Sequence, residues 1–197
     1  MNLDDQIRAK MVQVTSPTEE IIPEPTVVVP VQSDLQNKSA NVMASYQNAN
    51  KWLDIIKESL LMDQGCVFFS NYVHNLAHSM PVRFDAFGDI LHTIDMKVPY
   101  PATEYIEKEP ENVTEAFDEI EKILHCICDS LAEFIDLADG MHMRAVAIST
   151  ENLLSDISTE FTNLSRMKRA YAQSNGDIIK FDKWVAQYVN SIGTLID

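Results

Sequence analysis

His74 and His78 stand four residues apart, Asp85 and Asp89 stand four apart, and Asp89 and His92 stand three apart, all within the stretch from Phe68 to Tyr105. Residues at these separations share one face of a helix with 3.6 residues per turn, so each pair would present its side chains together. Imidazole nitrogens and carboxylate oxygens on adjacent turns are the donors that divalent iron, manganese or zinc takes. The same residues also fit a plainer reading, with the histidines at a helix surface or interface and the aspartates in solvent. Other spaced pairs, Glu121 with His125 and Asp156 with Glu160, are expected to be ordinary polar helix faces. Met141-His142-Met143 offers three soft ligands in a row but falls where a turn is expected, and packing is the simpler role. Arg166, Lys168 and Arg169 lie near a helix end, where positive charge complements the dipole.

The composition bounds what such a constellation can serve. The chain has 197 residues, 46% of them apolar, enough for one substantial core. Its net charge of −15 disfavours a nucleic-acid binder, since phosphate contacts need Lys and Arg, and suits a protein that gathers cations. Cys66, Cys126 and Cys128 cannot make a complete disulfide framework and point to a reducing compartment. No apolar run reaches the length of a membrane span and the first ten residues do not read as a secretory signal, so a cytoplasmic protein is expected. No phosphate-binding glycine loop, nucleophile elbow, zinc-protease helix or paired C-x-x-C motif is present, which argues against the common hydrolases, kinases and dehydrogenases.

Five glycines in long runs rich in helix formers predict an all-α fold. Residues 1–32, with four prolines and several glutamates, read as an extended or disordered arm, either for assembly or as a free tail. Helix A is expected from Ser33, with the stripe Met43, Tyr46, Ala49, Leu53, Ile56 and Leu60 inward, and Gly65 ends it. Helix B runs from Cys66 to about Ile94 and carries the histidines and aspartates; Pro81 in its middle should kink or split it. Residues 95–111 hold three prolines and form a long crossover. Asn112 with Glu115 opens helix C, which buries Val113, Phe117, Ile120, Leu124, Ile127, Leu131, Phe134 and Ala138 and ends at Gly140. Helix D spans about His142 to Gln173. Ser174-Asn175-Gly176 breaks the chain before a shorter amphipathic helix, whose Phe181, Trp184 and Tyr188 are expected to pack. Short A–B and C–D links with a long B–C link make a four-helix bundle with one crossover over residues 33–173, and residues 174–197 add a fifth helix.

In this frame the stretch Asp85-Ala-Phe-Gly-Asp89, the turn Pro99-Tyr-Pro-Ala-Thr103 and Glu104-Tyr105 resemble the end of helix B and the following turn in the Dps branch of the ferritin-like superfamily, over residues 35–173. The resemblance implies a hollow shell of twelve identical subunits that oxidises ferrous iron with peroxide or oxygen and stores the ferric mineral. It also implies a ferroxidase site between two subunits, one giving a helix-A His with a helix-B His and Asp, the other a helix-B Asp and Glu. Carried onto this chain, Asp85 and Asp89 match the latter pair, with Asp89 shortened from Glu. The other carboxylate position resembles His74, the helix-B histidine position falls on Ser70, and the helix-A histidine position falls near Glu58. Ligand types are thus exchanged, and the implied set is Glu58, His74, His78, Asp85 and Asp89, or else the site has been lost. DNA coating, known among Dps proteins, is disfavoured here because the N-terminal region is acidic.

Geometry adds an independent constraint. In an antiparallel A–B hairpin Glu58 should face residues near 70–74, while Asp89 lies about 22 Å further along helix B. A site using both needs a second subunit. An intrasubunit di-iron centre is also open, with Asp89-Ile-Leu-His92 supplying one acidic-x-x-His motif, though helix D lacks the matching histidine. Against all of these stands a ferritin-fold shell or interaction protein without ferroxidase activity.

Overall fold

The computed structural model describes residues 29–104 and 109–192, which fold into five helices with no strand among them. They are α1 (Val29–Met62), α2 (Val67–His92), α3 (Val113–Gly140), α4 (Arg144–Gln173) and α5 (Ile178–Ser191). No described helix is long and apolar enough to cross a membrane.

Side-chain contacts fix the helix directions. Asp54 meets His74, Asn50 meets Ala77, and Cys66 N–H donates to the Leu60 carbonyl at 2.9 Å, so numbering rises along α1 as it falls along α2. Phe69 packs on Phe117 at 4.7 Å between ring centroids and Phe87 on Phe134 at 4.9 Å, which makes α2 and α3 parallel. His125 against Phe161 and Lys168 on Asp118 and Glu121 make α3 and α4 antiparallel. Two parallel neighbours in sequence require the connection to travel back along the bundle. The link between α2 and α3, described over residues 93–104 and 109–112, makes this return, and Val98 in it lies on α2 where Gly88 leaves room, 3.4 Å from where a Cβ would stand. This is the expected four-helix bundle with one crossover.

The predicted stripe of α3 is buried at all eight positions. Asn112 caps that helix by accepting the Glu115 N–H at 3.0 Å, and Glu115 in return accepts the Glu111 N–H. Boundaries differ where local geometry overrides pattern. Helix α1 opens at Val29, four residues before Ser33, with Pro30 in the first turn, where a missing N–H leaves no bond unmade. Helix α4 starts at Arg144 because His142 sits at φ 60 in the left-handed region and ends the preceding turn. The rest of the expected N-terminal arm and the end of the expected fifth helix lie outside the described residues.

Helix α2 is continuous through Pro81. A proline inside a helix orphans the carbonyl four residues earlier, here that of Ala77. The side chain of Asn50 on α1 donates to that carbonyl at 2.9 Å, so the helix stays whole and gains a tie to its neighbour.

The last helix runs antiparallel to α4 and closes one end of the bundle. Phe181 is fully buried among Phe69, Phe117 and Tyr171, with centroids 5.4, 6.0 and 5.1 Å away. Its neighbour Asp182, 7% exposed, accepts the Phe68 and Phe69 N–H groups at 2.9 Å each. Cys66, at the N-cap position of α2, makes no side-chain cap bond, so a carboxylate more than a hundred residues away caps that helix. Burial, with the Asp182 charge adding to it, pushes the Cys66 thiol up to about 12 and keeps it protonated at neutral pH.

Candidate metal centre

The outer faces of α1 and α2 bring three potential ligands together. Asp54 and His74 meet across the helix pair, with the Asp54 Oδ1 3.4 Å from His74 Nδ1. His78, one turn along α2, sets its ring edge-on to that of His74 at 4.3 Å between centroids. One ligand atom from each of Asp54, His74 and His78 lies within 4.8 Å of the others, and no other group of three or more His, Cys, Asp or Glu side chains converges this way among the described residues. Asp54 and His74 are half-exposed and His78 is exposed, so the site opens to solvent.

Two local features hold this geometry. The hairpin is closed by the turn at Gly65, whose φ of 69 suits glycine, and this sets the register that places residue 54 opposite residue 74. The Asn50–Ala77 bond then clamps the two helices one turn from the site, Asn50 preceding Asp54 by four and Ala77 preceding His78 by one. Asn50→Ala is expected to leave the Ala77 carbonyl unbonded behind Pro81 and to cost about 1–3 kcal/mol. A urea melt of the metal-free protein checks it, and an unchanged midpoint would show that the clamp contributes nothing.

The other predicted ligands lie elsewhere on the same chain. Glu58 is one turn beyond Asp54 on α1; its side chain is 60% exposed and pairs with Lys57 at 2.6 Å. Asp85 borders a hollow of about 360 Å³ shared with Gln47, Asn50, Pro81 and Thr103, roughly 16 Å along α2 from His74 by helical rise. Asp89 is 87% exposed and faces His92, at 3.9 Å. Asp54 was missed because it stands outside the apolar stripe of α1 and no histidine lies at helical spacing from it on that helix. The available signal was the hairpin register, which sets it across from His74.

Some ferritin-like bundles hold two metals inside one chain, taking inward carboxylates from all four helices and two histidines. The residues here do not fit that arrangement. Asp89 and His92 point outward, and the one buried carboxylate among the described residues is Asp182, engaged in capping α2. Interior positions hold Met43, Tyr46, Leu53, Met80, Phe87 and Ile120, all fully buried. Tyr46 has an unpartnered hydroxyl whose ionisation burial pushes well above the ordinary range.

Glu160, expected at a polar surface, instead ties α2 to α4. It accepts the Tyr72 hydroxyl at 2.8 Å and pairs with Arg83 at 3.3 Å, while Arg83 also bonds Ser79. Burial, then the charge of Glu160, raises the Tyr72 hydroxyl well above its ordinary value. This network extends to α5, where Tyr188 donates to Asn163 at 2.8 Å and Trp184 stacks on Tyr188 at 5.0 Å. The basic residues near the end of α4 are engaged too, Lys168 with Asp118 and Glu121 and Arg166 with the Tyr188 hydroxyl.

No protein-family model and no curated protein matches the chain. Among solved structures, one of a mycobacterial bacterioferritin is similar, with a TM-score of 0.65 at 14% identity, covering 76% of this chain and 91% of that one. At that identity the likeness is one of fold, and the fold is a ferritin-like four-helix bundle extended by a fifth, C-terminal helix.

Proposed function

We propose that this chain is a cytoplasmic iron-binding and iron-storage protein of the Dps type, which oxidises ferrous iron at a site shared by two subunits of a hollow homo-oligomer. The observation that carries the reading is the convergence of Asp54, His74 and His78 on the open α1–α2 face of a ferritin-like bundle. In the proposed arrangement His74 and His78, joined by Asp54, receive the ferrous ion. Asp85 and Asp89 come from a second subunit, because about 16–22 Å of helix separates them from His74 within one chain. Glu58, one turn from Asp54, adds a further carboxylate at the rim. Two ferrous ions each give one electron to a peroxide, whose O–O bond breaks to yield water-level oxygen. The hard ferric product is better served by the carboxylates than by imidazole. The negative charge of the chain, −15, favours cation approach and disfavours DNA as a partner.

The test is an anaerobic ferrous titration followed by peroxide, with particle mass measured alongside, on the wild type and on Asp85→Ala/Asp89→Ala. The proposal expects saturable uptake on a particle of about twelve subunits and oxidation faster than the protein-free control, lost in the double variant. A large particle that oxidises iron no faster than the control would leave the alternative, a ferritin-fold shell or interaction protein without ferroxidase activity.

A further inference from the structure

We propose that Asp54, His74 and His78 form a divalent-cation site complete within one subunit, which takes up its ion independently of any contact between subunits. The inference refines the iron-handling reading given above, in which the full reaction needs two chains. Its basis is geometric. Two donors bound at about 2.1 Å to one tetrahedral ion stand about 3.4 Å apart, and Asp54 Oδ1 and His74 Nδ1 are separated by 3.4 Å. His78 is already edge-on to His74, and its ligand atom lies within 4.8 Å of the other two, a gap that a small rotation of an exposed ring closes. Three protein ligands and an open outer side leave positions for water or for an incoming group. Nothing from a second chain is needed to reach that count.

The donor set also fixes which ions it prefers. Two imidazole nitrogens and one carboxylate suit divalent first-row ions, with Co²⁺ and Zn²⁺ held more tightly than Fe²⁺ or Mn²⁺ in the usual order of affinities. A trivalent ion, which asks for oxygen, is held less well. The site is therefore one that captures the reduced ion and is open to competition from zinc.

The experiment is a Co²⁺ titration of metal-free, full-length protein, followed by visible d–d absorption, with particle mass measured on the same samples. The expected result is one Co²⁺ per chain, with affinity unchanged within about twofold in Asp85→Asn/Asp89→Asn and weakened at least about tenfold in Asp54→Ala. The thermal midpoint of metal-free Asp54→Ala should match the wild type, which separates ligand loss from unfolding. Loss of Co²⁺ binding in Asp85→Asn/Asp89→Asn, or binding confined to assembled particles, would overturn the single-subunit site and leave the shared-site reading standing. One Co²⁺ per chain with no accelerated iron oxidation would do the reverse, and no saturable binding would overturn this inference outright.

Discussion

Alanine at both His74 and His78 is expected to abolish iron oxidation above the protein-free rate and to weaken ferrous-ion binding at least about 100-fold, which is about 3 kcal/mol. The size of the effect follows from what would remain. Within the subunit Asp54, half-exposed and hydrated, would be left without an imidazole beside it, and the carboxylates proposed to complete the site, Glu58 and a second subunit's aspartates, serve the ferric product better than the ferrous ion. The fold should not suffer. His74 is half-exposed and His78 exposed, neither is in the core, and surface changes of this kind stay within about 0.5 kcal/mol. Isothermal titration with ferrous iron under anaerobic conditions measures the affinity, and circular dichroism checks the fold. Retention of wild-type affinity in the double variant would move the ion to other residues.

The largest expected effect on stability belongs to Asp182→Ala. Its carboxylate accepts the first free N–H groups of α2, at Phe68 and Phe69, and the Phe69 bond is buried, beyond the reach of replacement water. Removing it also withdraws a negative charge from the positive end of the helix dipole. Cap loss and a buried unbonded N–H together should cost about 2–4 kcal/mol, which for a chain of this size lowers the melting temperature by roughly 5–10 °C. Asp182→Asn keeps an acceptor oxygen and should recover a large part of the loss. Asn is nearly isosteric with Asp and keeps its packing, so an equal fall in the two variants would place the contribution in the carboxylate charge at the helix N-terminus, not in the acceptor oxygen.

The parts of the fold that were legible in the sequence are those governed by local pattern. The eight-residue stripe of α3, the Asn112–Glu115 cap and the breaks at Gly65 and Gly140 follow from periodicity and turn chemistry, and short and long links between helices give the one-crossover topology. What escaped notice depends on contacts far apart in the chain. Pro81 reads as a kink because its missing N–H is a local fact, while the Asn50 side chain that compensates the freed carbonyl comes from another helix. Glu160 looks like half of a surface pair with Asp156, yet it bonds Tyr72 and Arg83 across a helix seam. The partner of Asp182 is the start of a helix more than a hundred residues earlier, and no spacing rule connects the two.

The candidate site was legible to the same degree. His74 and His78 stand out by spacing on one helix, whereas Asp54 enters only through hairpin register, and the carboxylates most visible in the sequence, Asp85 and Asp89, lie further along α2. Asn50 joins these levels. It rescues the helix from its proline and, by the same bond, holds α1 and α2 at the separation the ligands need.

The most direct measurement is an anomalous-difference map at the iron edge from crystals grown and soaked anaerobically with ferrous iron. A peak about 2.1 Å from a carboxylate oxygen of Asp54 and from a ring nitrogen each of His74 and His78 is the expected result. Well-ordered iron inside the four-helix core, or none on the α1–α2 face at saturating ferrous ion, would contradict the account.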